Sequence, residues 1–172
     1  INGKKKLDFT GDSYLIEATF KPEEGVTKVG FNVRVGQEEK TVVSYDLNTS
    51  ELSIDRSQSG VIINEGFARV DKQSNVSRNA DGSITLHIYV DRASVEVFNG
   101  DYTATGANQI FPSLTSLDVE AFSEGGQSIL NADIYPMGTL WDKETPTNPI
   151  SIGSSSKSET NIYVGETTTL SA

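Results

Sequence analysis

The segment Ile84–Phe98, ITLHIYVDRASVEVF, has the clearest periodic pattern in the chain. Four apolar residues alternate with other residues before the break at Asp91–Ser94, and two valines alternate with Glu96 and Phe98 after it. A period of two is typical of a strand with one face on a core. The flanking dipeptides Asp81-Gly82 and Asn99-Gly100 suit tight turns. The segment therefore predicts two consecutive strands, with Glu96 in the middle of the second.

The same alternation recurs in short runs along most of the chain, and no stretch has helical periodicity of useful length. Short strands separated by turn signals about every 8–12 residues are typical of an antiparallel sandwich. We therefore predict an all-β fold, an antiparallel two-sheet β-sandwich of jelly-roll or concanavalin-like type. Its other clear strands are predicted over Tyr14–Phe20, Val29–Val35, Thr41–Asp46, Glu51–Asp55, Ser116–Phe122 and Ser128–Pro136.

Composition divides the chain into three parts. Residues 1–141 are predicted to form the sandwich, with Ile1–Leu7 and its three lysines as a solvated lead-in. Residues 142–160 are rich in Pro, Ser and Thr and are predicted to be a linker. Residues 161–172 are predicted to be the truncated start of a second domain. Because the chain begins at Ile1 without a methionine, we expect it to be part of a longer protein.

Charge and residue usage exclude several classes of function. The 24 acids and 14 bases give a formal net charge of −10, so the basic surface that binds nucleic acid or an anionic membrane is not expected. No apolar run approaches the roughly 20 residues of a membrane helix. Without cysteine there are no disulfides or thiolate metal sites, and no calcium-loop motif is present. We expect no cofactor, and a partner that is neutral or cationic, although solubility alone would also explain the acidity.

The stretch HIYVDRASVEVF at residues 87–98 resembles a motif in the C-terminal β-sandwich of glycoside hydrolase family 32 fructosidases, with Ala93 where serine is usual. Further similar pieces are GDSYLIEATF at 11–20, GFNVRVG at 30–36, LSIDRSQSG at 52–60 and ADIYPMGTLW at 132–141. The resemblance covers residues 7–141. The same sandwich also occurs as the fructan-binding carbohydrate-binding module family 66. The tail, NIYVGETTTLSA, resembles the start of a bacterial Ig-like group 2 domain.

The resemblance implies that this chain is not itself an enzyme. In that family the catalytic acids lie on a five-bladed propeller, and its motifs WMNDPNG, RDP and EC are absent from this sequence. We therefore expect a non-catalytic module attached to a secreted or cell-surface bacterial fructanase. Its expected partner is a fructan polysaccharide or fructo-oligosaccharide, and we expect a monomer tethered to other domains.

The resemblance also directs the choice of candidate binding residues. Carboxylates accept hydrogen bonds from sugar hydroxyls and arginine donates them, and such charge-assisted bonds are the stronger kind. A fructofuranose ring has little flat apolar surface, so we expect side-chain hydrogen bonds rather than a tryptophan platform. We predict a shallow pocket for a terminal fructose on polar strand faces and loop ends. Its candidate residues are Arg34, Glu39, Tyr45, Asp46, Asp55, Arg56 and Glu96.

Each candidate also has a purely structural interpretation. Asp91 is expected to cap its own turn, and Arg92 to form a surface ion pair with Asp91 or a neighbouring acid. Asp55-Arg56 is open to the same interpretation. Glu96 could form a buried pair with Arg34, because an unpartnered acid in a strand centre is poorly solvated. For the whole domain the alternatives are a sandwich that only braces a propeller and a glycan-binding adhesin segment.

Overall fold

The fold is described by a computed structural model for residues 1–137, 150–154 and 162–164. In these ranges the regular secondary structure consists of β-strands, and no helix is long and apolar enough to cross a membrane. The strands are β1 (Gly3–Thr10), β2 (Tyr14–Pro22), β3 (Lys28–Val35), β4 (Thr41–Asp46), β5 (Glu51–Asp55), β6 (Val70–Gln73), β7 (Ile84–Asp91), β8 (Ser94–Asn99), β9 (Thr105–Gln109), β10 (Asp118–Glu124), β11 (Ser128–Pro136), β12 (Ile150–Ser154) and β13 (Ile162–Val164).

The strands form two antiparallel sheets. The six-stranded sheet has the order β1-β10-β3-β4-β5-β6, and the seven-stranded sheet has the order β13-β12-β11-β2-β7-β8-β9. Within each sheet, neighbouring strands run antiparallel. The prediction of an all-β, antiparallel two-sheet sandwich is confirmed.

The core lies between the two sheets and takes the inward residue of each alternating pair. In the segment Ile84–Phe98 the predicted apolar face is buried along both β7 and β8. The rings of Phe20 on β2 and Phe31 on β3 meet edge to face, with their centroids 5.5 Å apart. Since these two strands belong to different sheets, the contact packs one sheet against the other. Aromatic pairs of this geometry contribute about 0.5–1.5 kcal/mol beyond their burial.

The predicted lead-in at the N-terminus is wrong, because Gly3–Thr10 is a strand of the six-stranded sheet. It pairs with β10, and its Leu7 and Phe9 are buried in the core. The lysines were the reason for predicting a solvated segment. Lys4 and Lys6 do point outward, but they do so from a paired strand and form ion pairs across the sheet. Their amines lie 3.4 Å from Glu120 and 2.9 Å from Asp118. An edge strand tolerates such outward charges, which also discourage pairing with another chain.

Two short strands lie beyond the segment that was predicted as the sandwich. Residues 150–154, inside the predicted linker, pair with β11, and residues 162–164 pair in turn with β12. The backbone therefore continues the seven-stranded sheet into the Ser- and Thr-rich part of the chain. The remaining residues of the predicted linker and second domain lie outside the described residues. The division at 142 and 161 stays a prediction.

Gly30 in the middle of β3 provides a test of the packing of this sheet. A Cβ at this position would lie 2.1 Å from the carbonyl oxygen of Val43 and 2.8 Å from Cα of Ser44. Both contacts are with backbone atoms, so β4 would have to move. We expect Gly30→Ala to lower the free energy of unfolding by about 1–3 kcal/mol, measured by urea denaturation.

Gly66→Ala is the matched control, since its Cβ would meet only a side-chain atom of Asn64 at 3.6 Å. We expect the stability of this control to stay within about 0.5 kcal/mol of the parent protein. Equal losses in both variants would contradict the close approach of β3 and β4 at Gly30.

Candidate functional site

A groove crosses the outer face of the six-stranded sheet, and we call it the outer groove. It has a volume of about 460 Å³, within the range of known ligand clefts. Side chains from all six strands line it, so that it runs across the strand direction. The lining residues are Gly3, Lys4, Lys28, Asn32, Lys40, Val42, Ser44, Asp46, Glu51, Ser53, Asp55, Val70, Lys72, Phe122 and Glu124.

The floor of the outer groove is lined by two small residues on adjacent strands, Ser44 on β4 and Ser53 on β5. Gly30 lies opposite Ser44, and Ser44 lies opposite Ser53. The hydroxyl oxygens of the two serines are 2.9 Å apart and share a hydrogen bond. A Cβ on Gly30 would come 3.0 Å from the ring of Phe122, which marks one end of this floor. Side chains larger than serine at positions 44 and 53 would fill the depression.

Charged and polar residues border this floor on both sides. On one side, Asn32, Val42 and Asp55 follow one another across β3, β4 and β5 in register. On the other side, Lys28, Asp46 and Glu51 do the same. Lys4 lies at the β1 end and Lys72 at the β6 end. The groove thus presents carboxylate acceptors together with amine and amide donors, the combination that recognises a polar, uncharged ligand.

Two of the predicted site residues, Asp46 and Asp55, line the outer groove, and local turns hold both of them. Oδ1 of Asp55 accepts a hydrogen bond from the amide of Ser57 at 2.8 Å. Oδ1 of Asp46 accepts bonds from the amides of Asn48 and Thr49 at 2.9 and 3.1 Å. The turns fix where each carboxylate lies and leave Oδ2 of Asp55 without a hydrogen bond to any residue that the structure describes.

The pKa of Asp46 is lowered from its ordinary value. Burial acts to raise this pKa, but the hydrogen bonds from Thr49 and Asn48, with help from the charge of Lys28, outweigh it. Hydrogen bonds to a carboxylate favour its charged form. Asp46 therefore stays ionised in the groove.

Arg34 does not lie on the open face where the alternation of β3 placed it, and its predicted orientation is wrong. Val35 lies three residues after Asn32 on β3, whereas their partners on β10, Asp118 and Glu120, are only two residues apart. One extra residue on β3 therefore forms a bulge. This bulge puts Arg34 in the left-handed backbone region at φ 49° and turns its side chain inward. Arg34 is 0% exposed.

The buried guanidinium of Arg34 is satisfied by backbone carbonyls. It donates to Ser116 at 2.8 Å, to Ser113 at 3.1 Å and to Arg92 at 3.0 Å, with a longer contact to Asp91 at 3.5 Å. Burial lowers its pKa, while the charges of nearby acids act in the opposite direction. Arg34 thus ties the segment before β10 to the turn between β7 and β8.

Glu39, like Arg34, contacts the loop that precedes β10. Its Oε1 accepts hydrogen bonds from the amide of Ser113 and from the hydroxyl of Ser116. The side chain is partly buried beside a second, more open depression that Ser57 and Ile62 also line. Glu39 and Arg34 therefore hold one loop from two sides and do not line the outer groove.

Tyr45 and Arg56 are also buried. The hydroxyl of Tyr45 donates to the carbonyl of Val76 at 2.7 Å. Arg56 donates to the carbonyl of Gln109 at 3.0 Å, and its guanidinium lies 4.3 Å from the ring centroid of Phe67. The proposed surface pair of Asp55 with Arg56 is thereby replaced by contacts of Arg56 with the interior.

Glu96 lies on the other side of the molecule, on the outer face of the seven-stranded sheet. It is exposed and faces Tyr89 across the strand pair. The alternative of a buried Glu96–Arg34 pair is wrong, because Arg34 is buried and donates to backbone carbonyls, whereas Glu96 is exposed. In the turn between β7 and β8, Asp91 and Arg92 make the structural contacts predicted for them from the sequence. Asp91 accepts from the amide of Arg92 at 2.7 Å, and Arg92 pairs with Asp12 at 3.0 Å.

The seven predicted residues therefore do not form one pocket, and ligand binding by any of them stays a prediction. Sequence reasoning missed most of the outer groove, including its floor and Phe122. A signal was available at the central outward positions of β4 and β5, where Ser44 and Ser53 stand between longer side chains. Within residues 1–137 and strands β12 and β13, no three His, Asp or Glu side chains are grouped as a metal site.

Comparison with known proteins gives a consistent match. The family model described as "Glycosyl hydrolases family 32 C terminal" matches residues 1–136. A "Fructan beta-fructosidase" of Streptococcus mutans serotype c is 50% identical over 160 residues, which are 92% of this chain and 11% of that protein. The "Levanase" of Bacillus subtilis (strain 168) is 34% identical over 134 residues, 77% of this chain and 20% of that protein.

A solved structure agrees with these sequence matches. The crystal structure of an exo-inulinase from Aspergillus awamori superimposes with a TM-score of 0.76 at 30% identity, over 81% of this chain and 28% of that one. This chain thus spans between about a tenth and somewhat more than a quarter of the length of these proteins.

Replacing the buried arginine tests its structural role. Arg34→Lys keeps the charge but loses the planar fork that reaches several carbonyls at once. We expect a loss of about 2–4 kcal/mol in the free energy of unfolding, since buried acceptors are left unpaired. Arg78→Lys is the control, because exposed Arg78 makes a single bond to the carbonyl of Leu47. A stable Arg34→Lys variant would contradict the assignment.

The lowered pKa of Asp46 predicts a dependence of stability on pH. A carboxyl whose folded pKa lies below its ordinary value of 3.8 stabilises the fold above that pH. The contribution is lost as the pH falls through the folded pKa. We expect Asp46→Asn to be less stable than the parent protein at pH 7 and the difference to vanish at strongly acidic pH.

Chemical denaturation between pH 2 and 7 measures this difference. Glu65→Gln, at an exposed loop acid, is the control and should show no comparable change with pH. A stability gap between the parent and Asp46→Asn that stays constant down to the lowest pH would contradict the role of the charge.

Proposed function

From the premise that the chain belongs to the family of C-terminal domains of family 32 glycosyl hydrolases, we propose that it is a non-catalytic domain that binds fructan. Its longer parent protein is an extracellular fructan hydrolase, and the outer groove is the binding site. Two relatives are described as a fructan beta-fructosidase and a levanase, and another is an "Extracellular exo-inulinase" of Aspergillus awamori. The likeness to these three supports both the substrate class and the location.

The observation that carries this proposal is the composition of the outer groove. Its floor of Ser44 and Ser53 is bordered by carboxylates, amines and the amide of Asn32. A fructan chain is neutral, rich in hydroxyl groups and weakly apolar, so that it needs alternating donors and acceptors rather than a flat aromatic platform. Hydrogen bonds to charged groups are the stronger ones that such a ligand can make.

The electrostatics of the groove support a role in binding rather than in catalysis. A glycosidase needs one carboxyl that stays protonated, with a raised pKa, near a second ionised carboxyl. The pKa of Asp46 is shifted the other way, towards the ionised form. Asp55 pairs with Val42, four residues along β4 from Asp46, so the Cα atoms of these two acids lie about 14 Å apart at about 3.4 Å per residue.

A structural role for the domain is favoured by a separate observation. Val61, Ile62 and Ile63 on the loop between β5 and β6 are 63%, 52% and 56% exposed. Three consecutive exposed aliphatic side chains are a candidate contact for another part of the parent protein. A domain that braces the catalytic part of its parent through this loop would still leave the outer groove on the six-stranded sheet accessible.

Isothermal titration calorimetry with levan, inulin, sucrose and fructose tests the proposal. We expect binding to at least one fructan and an affinity about tenfold lower, or weaker still, in Asp55→Asn, because a bond to a charged group contributes about 1.5–3 kcal/mol. The asparagine keeps an oxygen for the amide of Ser57, so the local turn is retained.

Glu96→Gln is the matched control, since it removes the same charge from the opposite sheet, and we expect its affinity to be unchanged. No heat of binding with any fructan on folded protein would refute the function. A weakened Glu96→Gln beside an unchanged Asp55→Asn would place the site on the seven-stranded sheet.

A further inference from the structure

We propose that the outer groove binds several consecutive sugar units of a fructan chain, lying across the strands from β1 to β6, and not a terminal fructose alone. This inference rests on the proposed function and adds the size of the ligand segment that the site recognises. It replaces the expectation of a shallow pocket for one chain end. Three properties of the groove support it, namely its length, its ends and the distribution of its polar groups.

The length of the groove exceeds that of one sugar. Lining residues come from all six strands, from Lys4 on β1 to Lys72 on β6. With about 4.8 Å between neighbouring strands, the five intervals span about 24 Å. Single bonds of about 1.5 Å make a furanose ring with its hydroxyls about 6 Å across. The groove thus has room for about four units in a row.

The two ends of the groove are exposed on the outer face. Among the described residues β1 and β6 are the edge strands of this sheet, and their lining residues Lys4 and Lys72 are exposed, although β13 and β9 of the other sheet lie beside these edges. Lys4 at one end forms an ion pair with Glu120. Lys72 at the other end forms no ion pair with any residue that the structure describes. A site that selects a chain end needs a closed wall at one end, which this arrangement does not provide.

The polar groups are spread along the groove instead of converging on one point. In the central row the sequence of groups from β1 to β6 is the amine of Lys4, the ring of Phe122, the hydroxyls of Ser44 and Ser53, and the amine of Lys72. These contacts are therefore spread over five of the six strands, since Gly30 on β3 has no side chain to offer. A pocket for a single sugar would surround one position with several groups.

The register between the strands also predicts which contacts depend on the number of sugar units in the ligand. Asn32 on β3 lies beside the middle of the groove, whereas Asp55 lies on β5 and Lys72 on the adjacent edge strand β6. A short ligand bound over β3 and β4 touches Asn32 and does not reach Lys72. We therefore expect Lys72 to contribute only when the ligand extends over the β6 end.

Calorimetric titration of this protein with fructose and with β-2,6- and β-2,1-linked oligomers of two to six units tests the inference. We expect the affinity for the preferred linkage to rise by at least tenfold between one unit and four, and to level off beyond about four. Lys72→Ala should weaken binding of the tetramer and longer oligomers several-fold and leave the dimer unchanged.

Lys21→Ala is the matched control, because Lys21 is an exposed lysine at the end of β2 in the other sheet. Its affinity should equal that of the parent protein at every length. Thermal unfolding of each variant confirms that the fold is retained.

The possible failures can be told apart. If fructose binds as tightly as the hexamer, the site recognises a single terminal unit, and this inference is wrong while the proposed function stands. If affinity rises with length but Lys72→Ala has no effect on long oligomers, the chain does not run to β6, and the inference is also wrong. If no oligomer or fructan binds to the folded protein, the proposed function itself fails.

Discussion

The shared core between the two sheets determines what is left for chemistry. The central strands, such as β2, β3 and β7, commit alternate residues to this core, where contacts such as that between Phe20 and Phe31 join the sheets. Only the outward residues of each strand remain free to meet a ligand. On the six-stranded sheet these include Ser44 and Ser53, whose small size leaves a depression. The groove is thus a consequence of how the outer face is filled once the inner face has been buried.

One end of the sandwich depends on a buried charge rather than on apolar packing. Arg34 donates to the carbonyls of Ser113, Ser116 and Arg92, and Glu39 holds the same segment from the other side. A guanidinium costs much free energy to bury unless its donors are paired. The loop before β10 and the turn after β7 supply that pairing, so the charge fixes the positions of two segments that lack regular structure.

An extended, open groove suits a domain that works beside a catalytic domain. Each sugar unit would contribute a few hydrogen bonds to exposed side chains, so that a single unit binds weakly and several units are needed for useful affinity. A polymer satisfies this condition because its units are covalently joined. Tethering the domain to a hydrolase would then raise the effective concentration of substrate at the enzyme without very tight binding. The mixed charges of the groove are compatible with a neutral ligand on a protein whose net charge is −10.

The amino-acid sequence by itself determined the fold class, most of the strands and the family, because alternation and short motifs are local properties. It failed where residues distant in the chain decide the outcome. Lys4 and Lys6 belong to a strand because β10, more than 110 residues later, supplies their partners. Arg34 is buried because a bulge against β10 reverses the alternation. Asp46, Asp55 and Phe122 share a groove, whereas Glu96 lies on the opposite face, because strand order places them there. Only the tertiary structure could decide this, since pairing and register between strands depend on packing of the whole sheet.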